Sequence, residues 1–595
     1  MAVVAYFRRK GNEIVTTACF LVLWTAGGAV PAQAHATLLQ TEPAASSQLH
    51  EAPEMVRLYF NERVETIFNS IQVLDQNGRP VDAGDLRVVA GGDTLEIPVK
   101  GLTNGPYTVR WRVNSLDGHQ VDGHFGFGVQ APPPTEAQMN NFASQQQNLA
   151  SRIFILMVKW IGLVAMIIWL GGISFWILIF GPHIPADSGP GEELNTAIQA
   201  SVQRIYKLLW VAAIFFVIAQ CLALFGQATV FANVSFLKAI SPANVFTVLT
   251  KTGYGGWWNL RMVTSLGLLA LCVRSIHPEM TRAANGQPGR SRVAIAVTAG
   301  VLGGVMLLTV PMSGHARAVS RGTALAVGFD WVHLAGTAIW IGGLVFLWAV
   351  VMRMKGAHTN EPLFLSQLVN RFSHVARICV LVLLITGLYA AWLHIPNWKS
   401  FVSTQYGVAL LIKLVLVAAI LMIALANWRR VLPALGKFTE ETDLYYKWTG
   451  RFRWMLTNEV ALGIVVLVVV AVLTNLPPAT AVAQAGPVEL TKLAEGVRVN
   501  LKLDSTKVGT AHCVVTLLDP AGKAVTDTKS LGVFARMADM DMGLETIATT
   551  PAPNGSFQAD IPLTMAGRWS ISVQITPQKG DAFVAEFQVS SISLQ

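Results

Sequence analysis

Eight apolar stretches, each long enough to cross a bilayer, fill the region between residues 153 and 476. They cover residues 153–180, 208–225, 257–273, 293–312, 324–351, 375–394, 406–428 and 455–476, and the weakest, the third, carries Arg261. About 20 apolar residues suffice for a spanning helix, and a helix is favoured there because it satisfies its own backbone polar groups in hydrocarbon. The chain of 595 residues is 52% hydrophobic and only 13% charged, so much of it must sit in lipid. A single soluble domain is excluded, and the modest net charge of +9 gives no sign of a nucleic-acid partner.

The polar blocks on either side fix an expected orientation. Residues 1–34 read as a secretory signal: Arg8, Arg9 and Lys10 lead, an apolar run follows, and Ala32-Gln33-Ala34 is a small-residue cleavage site. With the next domain outside, the loops after spans one, three, five and seven face the cytoplasm. Those loops hold Arg204, Lys207, Arg274, Arg282, Arg290, Arg292, Arg353, Lys355, Arg371, Arg429, Arg430, Lys437, Lys447, Arg451 and Arg453. The outward loops hold only Lys238, Lys251, Arg317, Arg321 and Lys399, which agrees with the positive-inside rule. The expected location is the plasma (inner) membrane, multi-pass, with both terminal domains extracytoplasmic.

Residues 35–130 alternate short strand-like segments, such as Val56-Arg57-Leu58-Tyr59-Phe60, with the turn signals Asn77-Gly78, Gly91-Gly92 and Asn104-Gly105. That spacing predicts a small β-sandwich or barrel. Residues 131–150, with Pro-Pro-Pro and Gln-Gln-Gln, read as a linker to a membrane domain over 151–478. Residues 485–595 are again polar and strand-like.

Cleavage after Ala34 would leave a free α-amine on His35. That amine and the imidazole Nδ1 could chelate one metal ion together, an arrangement suited to the tetragonal N,O coordination of Cu(II). A second donor pair stands in Ser115-Leu116-Asp117-Gly118-His119: on extended backbone, Asp117 and His119 share a face and could complete a square with His35. Histidine binds metal in its neutral form, so affinity should fall with pH. Cys19, Cys221, Cys272, Cys379 and Cys513 form no C-x-x-C, which speaks against a zinc or thiol-redox site.

Together, His35-Ala36, Thr41-Glu42-Pro43-Ala44, Phe60-Asn61-Glu62 and Asp117-Gly118-His119 resemble the periplasmic copper-binding protein CopC over residues 35–130. The resemblance implies a seven-stranded Greek-key β-barrel and a Cu(II) site at His35, Asp117 and His119, with Glu62 as a weaker ligand. The membrane block resembles CopD in Asp330-Trp331-Val332-His333, Trp340-Ile341-Gly342-Gly343-Leu344, Arg371-Phe372-Ser373, Thr386-Gly387, Tyr406-Gly407 with Lys413, and Asn458-Glu459. The tail, with Met537-Ala538-Asp539-Met540-Asp541-Met542-Gly543 and Met565-Ala566-Gly567-Arg568-Trp569, resembles the YtkA-like domain. The expected whole is a multidomain membrane protein of the CopC/CopD fusion family: a CopC-like barrel, an eight-helix transmembrane bundle and a C-terminal β-sandwich.

Ionisable groups inside spans are expensive and usually mark a pathway or a partner. His315, His333, His394, Lys413 and Glu459 are therefore candidates for a copper path through the bundle. Lys413 and Glu459 fall at opposite ends, so each is expected to have its own partner or to line an aqueous cavity. Met537, Met540 and Met542 are candidates for a Cu(I)-binding loop, because soft thioethers favour that ion. The expected function is capture of Cu(II) outside and transport of copper across the membrane, inward, in concert with a copper chaperone or reductase. No Walker motif supplies ATP and no enzyme activity is expected. Sequestration, efflux and haem-based electron transfer are the alternatives.

Overall fold

The apolar stretches are helical, and most of the helices run past them. The spans are Ile153–Phe180, Thr196–Phe231, Gly253–Ile276, Val293–Ser313, Thr323–Val351, Leu363–His394, Gln405–Ala434 and Tyr446–Leu473, numbered one to eight here. A computed structural model describes the chain from Ala36 to Ser591, apart from residues 37, 46, 61–62, 67–70, 90, 115–119, 136–137, 140–148, 185–191, 233–240, 285–291, 315–321, 355–360, 438–441, 477–478, 481–485, 508, 520–521, 526–527, 538–544, 553–555, 564–566 and 579–580. Span two starts twelve residues before its apolar stretch, at Thr196, and span six likewise starts at Leu363. The added turns carry Gln199, Gln203, Arg204 and Lys207, or Gln367 and Arg371. Such residues form helix well, so a helix nucleated in the membrane propagates beyond it.

With an even number of spans, both strand domains join the bundle at one end, called the near end here; the opposite end is the far end. Span five is the central helix: 67% of its apolar window is buried inside the protein, against 39% or less for any other span. It crosses span one where Gly171 meets Gly342. A Cβ on Gly171 would stand 2.3 Å from the Ala338 carbonyl oxygen, so only glycine lets these backbones touch. Single π-helical turns interrupt four spans, at Trp176–Phe180, Cys272–Ile276, Ala338–Gly342 and Asn427–Val431.

The N-terminal domain has strands β1 (Leu38–Glu42), β2 (Gln48–Leu49), β3 (Met55–Phe60), β4 (Ile71–Leu74), β5 (Arg87–Val88), β6 (Thr94–Pro98), β7 (Gly105–Asn114) and β8 (Gln120–Val129). They form two four-stranded sheets, ordered β1-β3-β6-β5 and β2-β8-β7-β4. The expected β class holds, with eight short strands in place of seven and no hydrogen-bonded closure of the barrel among the described residues. Alternation in β3 and β6 buries Val56, Leu58, Leu95 and Ile97 between the sheets, all at most 1% exposed. Gly123 lies opposite Trp111, and a Cβ there would fall 2.6 Å from the indole.

The C-terminal domain has β9 (Val488–Ala494), β10 (Val497–Leu503), β11 (Gly509–Leu518), β12 (Thr528–Met537), β13 (Glu545–Ile547), β14 (Thr549–Ala552), β15 (Ser556–Leu563), β16 (Gly567–Pro577) and β17 (Phe583–Ser591). Its sheets are ordered β14-β15-β11-β10-β9 and β13-β12-β16-β17. Cys513 is part of this core, and burial pushes its thiol up to about 12, which marks it as structural. On the surface, the Glu586 carboxylate accepts hydrogen bonds from the Ser570 hydroxyl and from Arg536, and these hold it below the usual range.

Candidate functional site

His35, Glu62, Asp117 and His119 lie outside the described residues, but the backbone flanking them is described and converges. Leu38, at the start of β1, pairs with Phe60, the last residue of β3. Glu65 and Asn114 exchange backbone hydrogen bonds of 2.9 and 3.0 Å, and Asn114 pairs with Gln120 across the β7–β8 connection. Phe60 packs edge-on against Trp111 with ring centroids 5.4 Å apart, which ties the two sheets together beneath these flanks. Three segments distant in sequence are thus anchored at one end of the domain.

That end touches the bundle. The Glu65 carboxylate accepts a hydrogen bond of 2.8 Å from the backbone N–H of Gly253, the first residue of span three. An acid suits this place, because a helix N-terminus presents unsatisfied N–H groups and a partial positive charge.

Below the near end, spans five, six and seven bring several polar side chains to similar depth. With a rise of about 1.5 Å per residue, Asp330 and His333 on span five lie about 10 and 15 Å below the end, and Thr386 and Lys413 about 12 Å. His333 Nδ1 lies 2.8 Å from the Thr386 hydroxyl oxygen. That hydroxyl spends its single proton on the Val382 carbonyl, 2.7 Å away, so in this contact the imidazole is the donor. The neutral ring then carries its proton on Nδ1 and leaves the Nε2 lone pair available, a tautomer in which Nε2 can ligate a metal.

Lys413 and Tyr406, two turns apart on one face of span seven, both feel the charge of Asp330 on span five, and Lys413 also acts on His333. Neither Asp330 nor Lys413 makes a hydrogen bond or ion pair among the described residues. Asp330 is exposed, and Lys413 and His333 are half-buried. His394, nearer the end of span six, hydrogen-bonds the Ala390 carbonyl at 2.8 Å and stacks on Tyr406. It sits two turns, about 12 Å, from the level of Thr386. The paired histidines at matching depth that a bis-histidine haem would call for are not formed by His333 and His394.

Glu459 stands apart, towards the far end. It is 5% exposed and accepts a 2.6 Å hydrogen bond from the Asn427 amide. His315, Met540 and Met542 lie outside the described residues, and Met537 closes β12 opposite Trp569. Among the described residues no three His, Cys, Asp or Glu side chains gather as a metal cluster. In the sequence Asp330, Thr386 and Tyr406 stand out only as parts of longer motifs, and Asn427 belongs to none of them. The spacing of Asp330 and His333, three residues apart, already placed both on one helical face.

Family models match most of the length. The CopC domain model covers residues 38–130, the Copper resistance protein D-like N-terminal domain 150–326, Copper resistance protein D 366–473, and the YtkA-like model 491–574. Copper transport protein CutJ of Bacillus subtilis is 25% identical over 547 residues, 91% of this chain and 93% of that protein. Inner membrane protein YebZ of Escherichia coli is 28% identical over 278 residues, 46% of this chain and 86% of its own. Protein YobA of Escherichia coli is 37% identical over 100 residues, 16% of this chain and 79% of its own. With CopC-like, CopD-like and YtkA-like parts in one multi-pass membrane chain, the protein belongs to the CopC/CopD fusion family of copper transport and resistance proteins.

Proposed function

We propose that the protein captures Cu(II) outside the plasma membrane and carries copper inward through the bundle. His35, as the mature N-terminus, supplies its amine and ring, Asp117 and His119 complete the square, and Glu62 is a weaker ligand. The converging flanks of β1, β3 and the β7–β8 connection support this assignment. Both terminal domains lie on the outer face in this reading, as the distribution of basic residues favours.

The observation that carries the transport reading is His333: a half-buried imidazole in a span, with Nδ1 on Thr386 and no hydrogen bond at Nε2 among the described residues. Copper leaving the outer domain would meet it below the near end, on the side where Glu65 joins span three. His394 and His315 would bracket the way in. Asp330 and Lys413 tune the charge that an arriving cation meets. Met537, Met540 and Met542 would offer soft sulfur to Cu(I), and a separate reductase or chaperone would manage the oxidation state.

Copper content of cells expressing the full chain, compared with cells lacking it, tests direction. Import predicts higher internal copper with the protein present, lost in His333→Ala. Lower internal copper with the protein present would overturn import in favour of efflux or sequestration. His35→Ala should abolish tight Cu(II) binding; unchanged binding would refute the proposed outer site.

A further inference from the structure

The far end holds a polar pair that copper capture does not use. Glu459 on span eight and Asn427 on span seven are 5% and 9% exposed, and the amide Nδ2 donates to Glu459 Oε1 at 2.6 Å. The amide's other polar atom, Asn427 Oδ1, is buried and receives no hydrogen bond among the described residues. A buried acceptor without a donor is costly, and so is a buried carboxylate without a cation.

Among the described residues no cation compensates Glu459. Span eight packs on spans one, five and seven, and among the described residues Asn427 is the sole polar group acting on the carboxyl. Arg453, on span eight itself, donates to the Met354 carbonyl. Arg429 and Arg430 follow Asn427 but are exposed. Lys159 of span one is bonded to Asn475 at the near end.

One proton answers both deficits. A protonated Glu459 carries no charge and gains an O–H, the kind of donor that Asn427 Oδ1 lacks, so acid and amide can bind each other reciprocally. Asn427 also opens the π-helical turn Asn427–Val431, and such turns occur often where a span does work.

We propose that Glu459 and Asn427 form a proton-carrying pair whose loading and unloading drives copper through the bundle. The carboxyl takes one proton from water on one side of the membrane and releases it on the other, and no electron moves. Release leaves a carboxylate whose partner among the described residues is Asn427 Nδ2, which biases the bundle towards reloading. The driving role rests on the transport reading above.

The test uses the full chain in proteoliposomes, with ascorbate-reduced copper as the probe and a pH-sensitive dye inside. Copper should accumulate against its own gradient when a pH gradient is imposed, with accompanying proton flux. Glu459→Gln should lose the proton flux and the pH-driven accumulation, while downhill copper movement remains. Asn427→Asp, which keeps an acceptor but removes the donor, should shift the pH at which the driven flux is half-maximal. Unaltered driven flux in Glu459→Gln would overturn the proposal, and so would a requirement for sodium in place of the pH gradient. In copper-free detergent-solubilised protein, infrared difference spectra should show a protonated carboxyl band that vanishes in Glu459→Gln; absence of that band would also overturn it. Wild-type protein that moves no copper under any gradient, yet shows the band, would sink the transport reading and leave the proton pair standing.

Discussion

The near and far ends of the bundle meet the same difficulty, charge within apolar helices, in opposite ways. At the near end, Asp330, His333 and Lys413 lie at similar depth from two spans; among the described residues Asp330 and Lys413 make no hydrogen bond, and Asp330 is exposed. At the far end, Glu459 is sealed and has one partner, the Asn427 amide. An exposed charge at such depth must face water or an arriving ion rather than lipid, whereas a sealed carboxyl must be neutralised in place. In the proposed reading, the near end receives a cation and the far end holds one proton.

Accessibility gives the sharpest break. In a variant whose native cysteines are replaced, Asp330→Cys should react fully with a membrane-impermeant maleimide added outside, and Glu459→Cys should not react. Equal labelling of both would erase the contrast. Next in size is Thr386→Val, which removes the acceptor that fixes His333 in its metal-ready tautomer. Loss of such a support typically costs about 10- to 100-fold in metal affinity or activity, so copper uptake should fall by that order while Cu(II) binding outside is unchanged. Uptake at the wild-type rate would show that the hydroxyl does not matter.

A smaller effect is expected from Asn427→Leu, which deletes one hydrogen bond between spans. Such bonds contribute roughly 1 kcal/mol in membranes, so denaturation in mixed micelles should shift only slightly, although proton coupling is lost. A shift several times larger would make the pair structural. The smallest effect belongs to a carboxylate outside the bundle. Ser570 and Arg536 depress the titration of Glu586, so their stabilisation is full above the usual carboxylate range and is lost as pH falls through the depressed one. Hydrogen-exchange protection factors in β16 and β17, corrected for the intrinsic rate at each pH, should therefore fall modestly in acid, and Glu586→Gln should abolish that dependence.

Much of this architecture was legible before any coordinates. Hydropathy located every span, because a bilayer demands length and apolarity and little else. It misplaced helix ends, such as Thr196 and Leu363, because helix propagation depends on backbone cooperativity rather than on lipid. The open sandwich was less legible, since closure depends on which edge strands pair, and β1 and β5 at the edges of one sheet do not show that in their residues. Within the bundle, histidine and charge stood out against apolar neighbours, so His333, Lys413 and Glu459 were visible. Their partners Thr386 and Asn427 were not: a threonine in an apolar helix usually bonds its own backbone, and an asparagine at a span's end resembles a cap. Only the meeting of spans five with six, and seven with eight, gives these two residues their roles.

The hydrogen bond from Gly253 to Glu65 has a kinetic consequence. In the proposed reading, a copper-binding domain held against the bundle presents its ion at an effective molarity of about millimolar, set by the tether and not by the surroundings. Transfer from a loaded domain would then not depend on diffusion of a separate carrier to the bundle.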